Sequence, residues 1–285
     1  MKLSVSTHII DKWEDGSPVA FKDAIEFARN AGFEVFDMSL DTTFYLHEGW
    51  QRELDERADM AAKAGIPIKT MHLPYNYPRS GSAEEWDNFN KASFRAIDQV
   101  NRIGAACAAI HPRSYMTSQY DADEEYQAAY EFLRPFCEHA QQKGVKLAIE
   151  VMRGAGRSAR AHVRRFGTDV NDLIRLADDL GEGICWDTGH ANISMQNQYK
   201  SLKKIGSRLR MIHVNDNFAE DDIHLAPFLG NVDWQGFVRG LKEIGYPGDM
   251  NLEVSCKRMP LPMWKPYGEL MAESGRRLIR MFQEA

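Results

Sequence analysis

Seven times along the chain a helical pattern stops at a glycine and a short apolar run follows at once. The stops read AGFEV from Ala31, AGIPI from Ala64, IGAAC from Ile103, KGVKL from Lys143, LGEGI from Leu180, IGSRL from Ile205 and IGYPG from Ile244. Glycine after a helix supplies the left-handed residue that ends it. The seven glycines lie 33, 39, 40, 37, 25 and 39 residues apart, the length of one strand–helix unit. With an opening strand, LSVST from Leu3, the pattern predicts eight strands at about 3–7, 34–40, 68–74, 106–112, 146–151, 183–189, 209–215 and 249–255. Helical periodicity lies between them, as in Phe21, Ile25 and Ala28, and a last helix is expected from near Trp264 to the end. Eight alternating units in 285 residues predict an α/β fold, a (β/α)8 TIM barrel. The competing architecture is an open, doubly wound sheet, but no G-x-G-x-x-G follows the first strand. No low-complexity linker interrupts the repeat, so residues 1–285 are read as one TIM-barrel domain.

Composition narrows the partners. Lys and Arg number 35 against 41 Asp and Glu, a formal net charge of −6, which disfavours nucleic acid. There is no apolar run of about 18 residues, so no membrane-spanning helix is expected. The N-terminus, MKLSVSTHIIDKWEDG, lacks the apolar stretch of a signal peptide, and a cytoplasmic protein is expected. The cysteines, Cys107, Cys137, Cys185 and Cys256, form no C-x-x-C pair and read as free buried thiols.

Strand alternation sorts the chemistry. Leu147, Ile149 and Val151 share one parity and should face the helices, which turns Glu150 inward. The same rule turns Asp187 inward between Trp186 and its flank, His213 between Ile212 and Val214, and Glu253 between Leu252 and Val254. His72 and His111 follow on the third and fourth strands. These six groups sit near the carboxyl ends of their strands, the active face of such a barrel. One inward His or Asp is more often a hydrogen-bonded core group than a ligand. Carboxylates and imidazoles converging from consecutive strands are what a divalent metal site needs.

The runs AIEV around Glu150, CWDTGH around Asp187, IHVND around His213 and NLEVS around Glu253 resemble the xylose isomerase-like barrel superfamily. That group holds sugar and sugar-phosphate isomerases, 3-epimerases, related dehydratases and apurinic endonucleases. The resemblance runs from the first strand to the eighth. It implies that Glu150, Asp187, His213 and Glu253 bind one divalent ion, and that His190 contacts substrate. It also implies that Glu150 and Glu253 are the acid/base pair of an isomerase or epimerase working through an enediolate. The oxygen-rich donor set favours Mn2+, with Mg2+, Co2+ and Zn2+ as alternatives. The partner expected is a small carbohydrate, a ketose, sugar phosphate or related polyhydroxy carbonyl compound, anionic or neutral; a homo-oligomer is compatible with this.

The resemblance also carries rival readings. His72, His111, His190, Asp222 and His224, with the four residues above, match the nine ligand positions of three-zinc apurinic endonucleases. HLPYNYPRSG after the third strand lacks the usual Asn-Leu-Ala-Ser tail, and CWDTGH lacks the usual second Cys. His72, His111, His190 and His224 are therefore expected to line the cavity and contact substrate hydroxyls. The Arg that ketohexose 3-epimerases carry after the seventh strand has no counterpart between Arg210 and Arg239. A sugar or polyol dehydratase is the nearer alternative, needing one base and an acid such as His190. A non-catalytic barrel would leave both glutamates idle.

Two loops add lesser signals. Arg153, Arg157, Arg160, Arg164 and Arg165 follow the fifth strand, where guanidinium forks could hold a phosphate or carboxylate. A solvated loop or subunit contact explains them equally well. Trp13, Trp264 and Tyr267 occupy loops where an aromatic ring can stack on a sugar, though packing is the commoner role. Lys257, Arg258 and Lys265 add charge after the eighth strand. His8, His47, His139 and His162 are not placed on the inward ring, and no role is assigned to them.

Overall fold

A computed structural model describes residues 1–78, 81–156, 159 and 162–285. Its strands are β1 (Leu3–Ser6), β2 (Val35–Ser39), β3 (Ile68–His72), β4 (Ala108–Ile110), β5 (Leu147–Glu150), β6 (Gly183–Asp187), β7 (Leu209–His213) and β8 (Met250–Leu252). They form one parallel sheet in the order β7-β6-β5-β4-β3-β2-β1-β8, with helices in the connections. Just beyond β7 the ring closes. Val214 N donates to Asn251 O at 2.8 Å, and Glu253 N donates to Val214 O at 3.0 Å. The (β/α)8 barrel expected from the glycine repeat is the fold observed.

Helix formation follows the apolar stripe. The helix Phe21–Ala31 buries Ala24, Ile25, Ala28 and Ala31 and stops at Gly32, whose φ of +99° suits glycine. The last helix spans Trp264–Glu284, where the sequence placed it. Among the described residues no helix is long and apolar enough to cross a membrane.

Alternation divides the core into two layers. Leu147, Ile149, Ile184, Trp186 and Ile212 join the large cluster outside the sheet. Cys107, Ala109, Ala148, Cys185 and Met211 form a separate small cluster. Because the side-chain period is two, Ala148 leads to Glu150, Cys185 to Asp187 and Met211 to His213 on the same face. Small apolar residues thus plug the barrel, and polar ones sit above them at the strands' carboxyl ends.

Every strand ends one to three residues earlier than the sequence suggested, and β6, β4 and β8 show how. β6 stops at Asp187 because its side chain caps the helix Thr188–Ile193, accepting from His190 N at 2.6 Å. β4 stops at Ile110, two residues before Pro112, which has no N–H to extend a ladder. β8 stops at Leu252, although the Glu253 N–H still bonds across to Val214. The aromatic loop residues serve packing. Trp13 stacks on buried Trp264 at 5.5 Å between ring centroids, and the Tyr267 hydroxyl accepts from Ala226 N at 3.4 Å.

Candidate metal centre

Glu150, Asp187, His213 and Glu253 each bring one donor atom to a place where all four lie within 4.8 Å of one another. His72, Glu150 and His213 form a second grouping within the same limit. Asp187 and His213 are fully buried, whereas the Glu253 side chain keeps 26% of its surface exposed. His213 Nδ1 lies 3.1 Å from Glu150 Oε2 and 3.4 Å from Glu253 Oε2. On the far side, His213 Nε2 lies 3.6 Å from Asp37 Oδ2. Neither ring nitrogen makes a hydrogen bond despite complete burial, an arrangement that ordinarily costs free energy.

The carboxylates are also crowded. Burial pushes the Asp187 carboxyl up, and the neighbouring Glu253 and Glu150 add to that against the opposing pull of His190. Burial acts the same way on Glu150, but the imidazoles of His213, His111 and His190 outweigh it and hold this carboxyl well below the usual range. Three carboxylates beside an unpaired imidazole nitrogen are the donor chemistry of a hard or borderline divalent cation. These residues fit such an ion.

Two short sequence runs build the floor. In CWDTGH, Asp187 ends a strand and caps a helix. The Thr188 hydroxyl donates to Asn215 O at 2.7 Å. A Cβ on Gly189 would meet Asn215 Oδ1 at 1.9 Å, so only glycine lets the helix lie this close to the end of β7. The turn then aims His190 back at β5, with Nδ1 2.8 Å from Val151 O and 3.3 Å from Glu150 Oε1. In IHVND, Val214 closes the barrel and Asn215 Nδ2 donates to Asp187 Oδ2 at 2.9 Å. Buried Asp216 accepts from Gly230 N, Val232 N and Trp234 Nε1, which ties down the loop carrying Asp222 and His224.

A ring of imidazoles surrounds this floor. His72 Nε2 is 3.2 Å from both His111 Nε2 and Glu150 Oε2. Burial pushes His111 down to about 4, whereas at His72 the hydrogen bond to Glu150 overcomes burial and raises it. Asp222 bridges His190 Nε2 and His224 Nε2, each at 3.2 Å. The His224 backbone has φ +48°, uncommon for a residue with a side chain.

Glu150, Glu253, His72, His111, His190, Asp222 and His224 line one cavity of about 600 Å³, while Asp187 and His213 lie beneath its surface. Arg153, Arg165 and Lys257 line it too. Arg164 pairs instead with Thr117 in a backbone bridge, and Arg157 and Arg160 lie outside the described residues. His8 also lines the cavity, from the 3-10 turn after β1. Strand alternation could not place it, because it lies past the strand's end. Tyr75, Tyr77 and Tyr115 are further lining residues that the sequence reading passed over. Asp37 was within reach, since the alternation that turned Glu150 inward does the same for Asp37 on β2.

Comparison with known proteins agrees with this architecture. A solved D-tagatose 3-epimerase-like protein superposes with a TM-score of 0.72 at 21% identity, covering 100% of this chain and 97% of the other. L-ribulose 3-epimerase of Methylomonas sp. (strain DH-1) is 20% identical over 261 residues, 88% of this chain and 84% of its own length. 3-Dehydroshikimate dehydratase of Pseudomonas putida is 25% identical over 242 residues, 81% of this chain but 35% of that protein. The xylose isomerase-like TIM barrel family matches residues 25–280. With eight parallel strands and that match across most of its length, the chain belongs to the xylose isomerase-like TIM barrel family.

Proposed function

We propose that this protein is a divalent-metal-dependent epimerase or isomerase of a ketose, a sugar phosphate or a related polyhydroxy carbonyl compound. One observation carries the reading: two glutamates from opposite parts of the ring, Glu150 and Glu253, meet beside Asp187 and His213 at the floor of a polar cavity. The names of the epimerase relatives support it.

A divalent cation held by Glu150, Asp187, His213 and Glu253 would draw negative charge toward neighbouring substrate oxygens and so acidify the C–H next to the carbonyl. The protein's own groups do the rest. Glu253, partly open to the cavity, takes the carbon-bound proton. Glu150 approaches from β5, three strand positions away around the ring. Having first taken the proton of a substrate hydroxyl, it delivers that proton to carbon from the other side, and Glu253 gives its own proton back to the hydroxyl oxygen. Return to the same carbon is epimerisation; return to the neighbouring carbon is isomerisation. His72, His111, His190 and His224 supply donors and acceptors for hydroxyl groups. A dehydratase is the second reading, favoured by the His190–Asp222 contact of 3.2 Å, which can keep an imidazolium ready to protonate a departing hydroxide.

Incubation of metal-loaded protein with ketoses and their phosphates in deuterated water tests the proposal. Deuterium at the carbon next to the carbonyl, with one metal per chain, is the expected result. Loss of water from the product would favour the dehydratase. Three metals per chain with cleavage of an abasic-site oligonucleotide would replace both readings by a phosphodiesterase.

A further inference from the structure

We propose that the substrate carries an oxyanion group, a phosphate or a carboxylate, and that Arg153 and Arg165 hold it with Ser114 and Tyr115. This inference rests on reading the cavity as a polyhydroxy carbonyl site and names the substrate class more narrowly. All four residues line the cavity that Glu150 and Glu253 also line.

Two loops are pinned together to make this wall. Thr117 N donates to Arg164 O and Arg164 N to Thr117 O, both at 2.8 Å, joining the loop after β4 to the loop after β5. Met152 N donates to Gly167 O at 2.8 Å and closes the base of the second loop. As a result Arg165 Nε donates to the buried Ser114 hydroxyl at 3.0 Å, and Arg165 Nη1 reaches the Arg153 carbonyl at 3.5 Å. The Arg165 fork is thereby oriented within the cavity wall.

Arg153 is paired with a carboxylate only loosely. Its Nε stands 3.8 Å from Asp222 Oδ2, beyond hydrogen-bonding distance. Asp222 already faces His190 Nε2 and His224 Nε2 at 3.2 Å each. Tyr115 gives a second, independent indication, because its hydroxyl is buried with no hydrogen-bond partner. A phosphate or carboxylate oxygen would supply what this hydroxyl lacks, and two guanidinium groups suit a multidentate oxyanion. The wall is continuous with the metal floor: Glu150 contacts His190, His190 contacts Asp222, and Asp222 neighbours Arg153. One substrate can therefore span both.

Calorimetric titration with D-fructose, D-fructose 6-phosphate and D-fructuronate, which differ only at carbon 6, tests this. The metal-loaded full-length protein should bind one of the two anions about tenfold or more tightly than D-fructose, with the preference falling as salt rises. Which anion wins identifies phosphate or carboxylate. Arg153→Met and Arg165→Met should each erase most of the preference, and Arg165→Lys should retain part of it if the loop stays folded by thermal melt. Equal binding of all three ligands, or a preference that survives both Met substitutions, overturns the proposal. If D-fructose exchanges deuterium yet neither anion is preferred, the oxyanion seat fails while the proton-transfer reading stands. If nothing binds and nothing exchanges, both fail.

Discussion

Asn215 Nδ2 donates to Asp187 Oδ2 across 2.9 Å, so a strand-end amide beside His213 fixes the carboxylate on the neighbouring strand. Asp187 Oδ1 is held as well, by His190 N at 2.6 Å. Both residues are fully buried. The Asp187 carboxylate is thus oriented by two donors before any ion arrives, and each donor comes from one of the two sequence runs that build the floor.

Asn215→Ala should therefore weaken divalent-metal affinity, by roughly 10–100-fold if the amide acts as such outer partners usually do. Competition with a chelator measures this. The metal-free thermal midpoint should be recorded beside it, so that lost orientation is separated from lost stability. Unchanged affinity would mean that the helix N-terminus alone holds Asp187 in place.

Gly189→Ala should be destabilising. Its Cβ would stand 1.9 Å from Asn215 Oδ1 and 2.8 Å from Asn217 Nδ2, both on fully buried side chains that are held by hydrogen bonds from their amide nitrogens. Overpacking of this kind costs about 1–3 kcal/mol. A denaturant titration reads the loss as a lower midpoint at constant slope. A variant as stable as the parent would show that Asn215 can swing aside.

The glycine stops made the barrel legible because each marks a helix end followed by a strand, and period-two alternation placed Glu150, Asp187, His213 and Glu253 on one face. What failed to show in the sequence was what depends on loops. His8 reaches the cavity from a 3-10 turn, where alternation has already lapsed. Trp264 reads in the sequence as packing more readily than as a sugar-stacking ring, and packing is what the turn before the last helix imposes: it folds Trp264 under Trp13, with its Nε1 donating to Met259 O at 2.9 Å. Asp187 was legible as an inward carboxylate and not as a helix cap, although an Asp followed by Thr-Gly-His is a cap signal.

The thiols should be inert in the folded protein. Among the described residues Cys107, Cys137, Cys185 and Cys256 are all free and buried. Burial pushes Cys107 and Cys256 up to about 12 and raises Cys137 and Cys185 as well. The thiolate is the reactive form, so at pH 8 the native protein should give almost no reaction with a disulfide reagent. Four equivalents should react on unfolding in guanidinium. Fast reaction of one thiol under native conditions would reveal local opening around it.

The two glutamates should respond differently to loss of charge. Glu150 is 1% exposed and has His72, His111 and His213 within 3.4 Å of Oε2, and His190 Nδ1 3.3 Å from Oε1. Removing its charge would leave these imidazoles without the negative charge they surround, so Glu150→Gln should lose metal affinity and stability together. Glu253 has one such imidazole contact, His213 at 3.4 Å, and opens to the cavity. The remaining three donors can still hold an ion after Glu253→Gln, which removes the base but keeps an oxygen. Deuterium exchange should then fall by roughly 10²–10⁴-fold, the usual worth of a general base, while metal content and thermal midpoint change little. Raising metal concentration should restore metal content and part of the deuterium exchange of Glu150→Gln but not its epimerisation, which also needs the Glu150 proton, and should restore none of the exchange of Glu253→Gln. If fully metallated Glu253→Gln exchanges deuterium at close to the parent rate, Glu253 is a ligand alone and another group takes the proton.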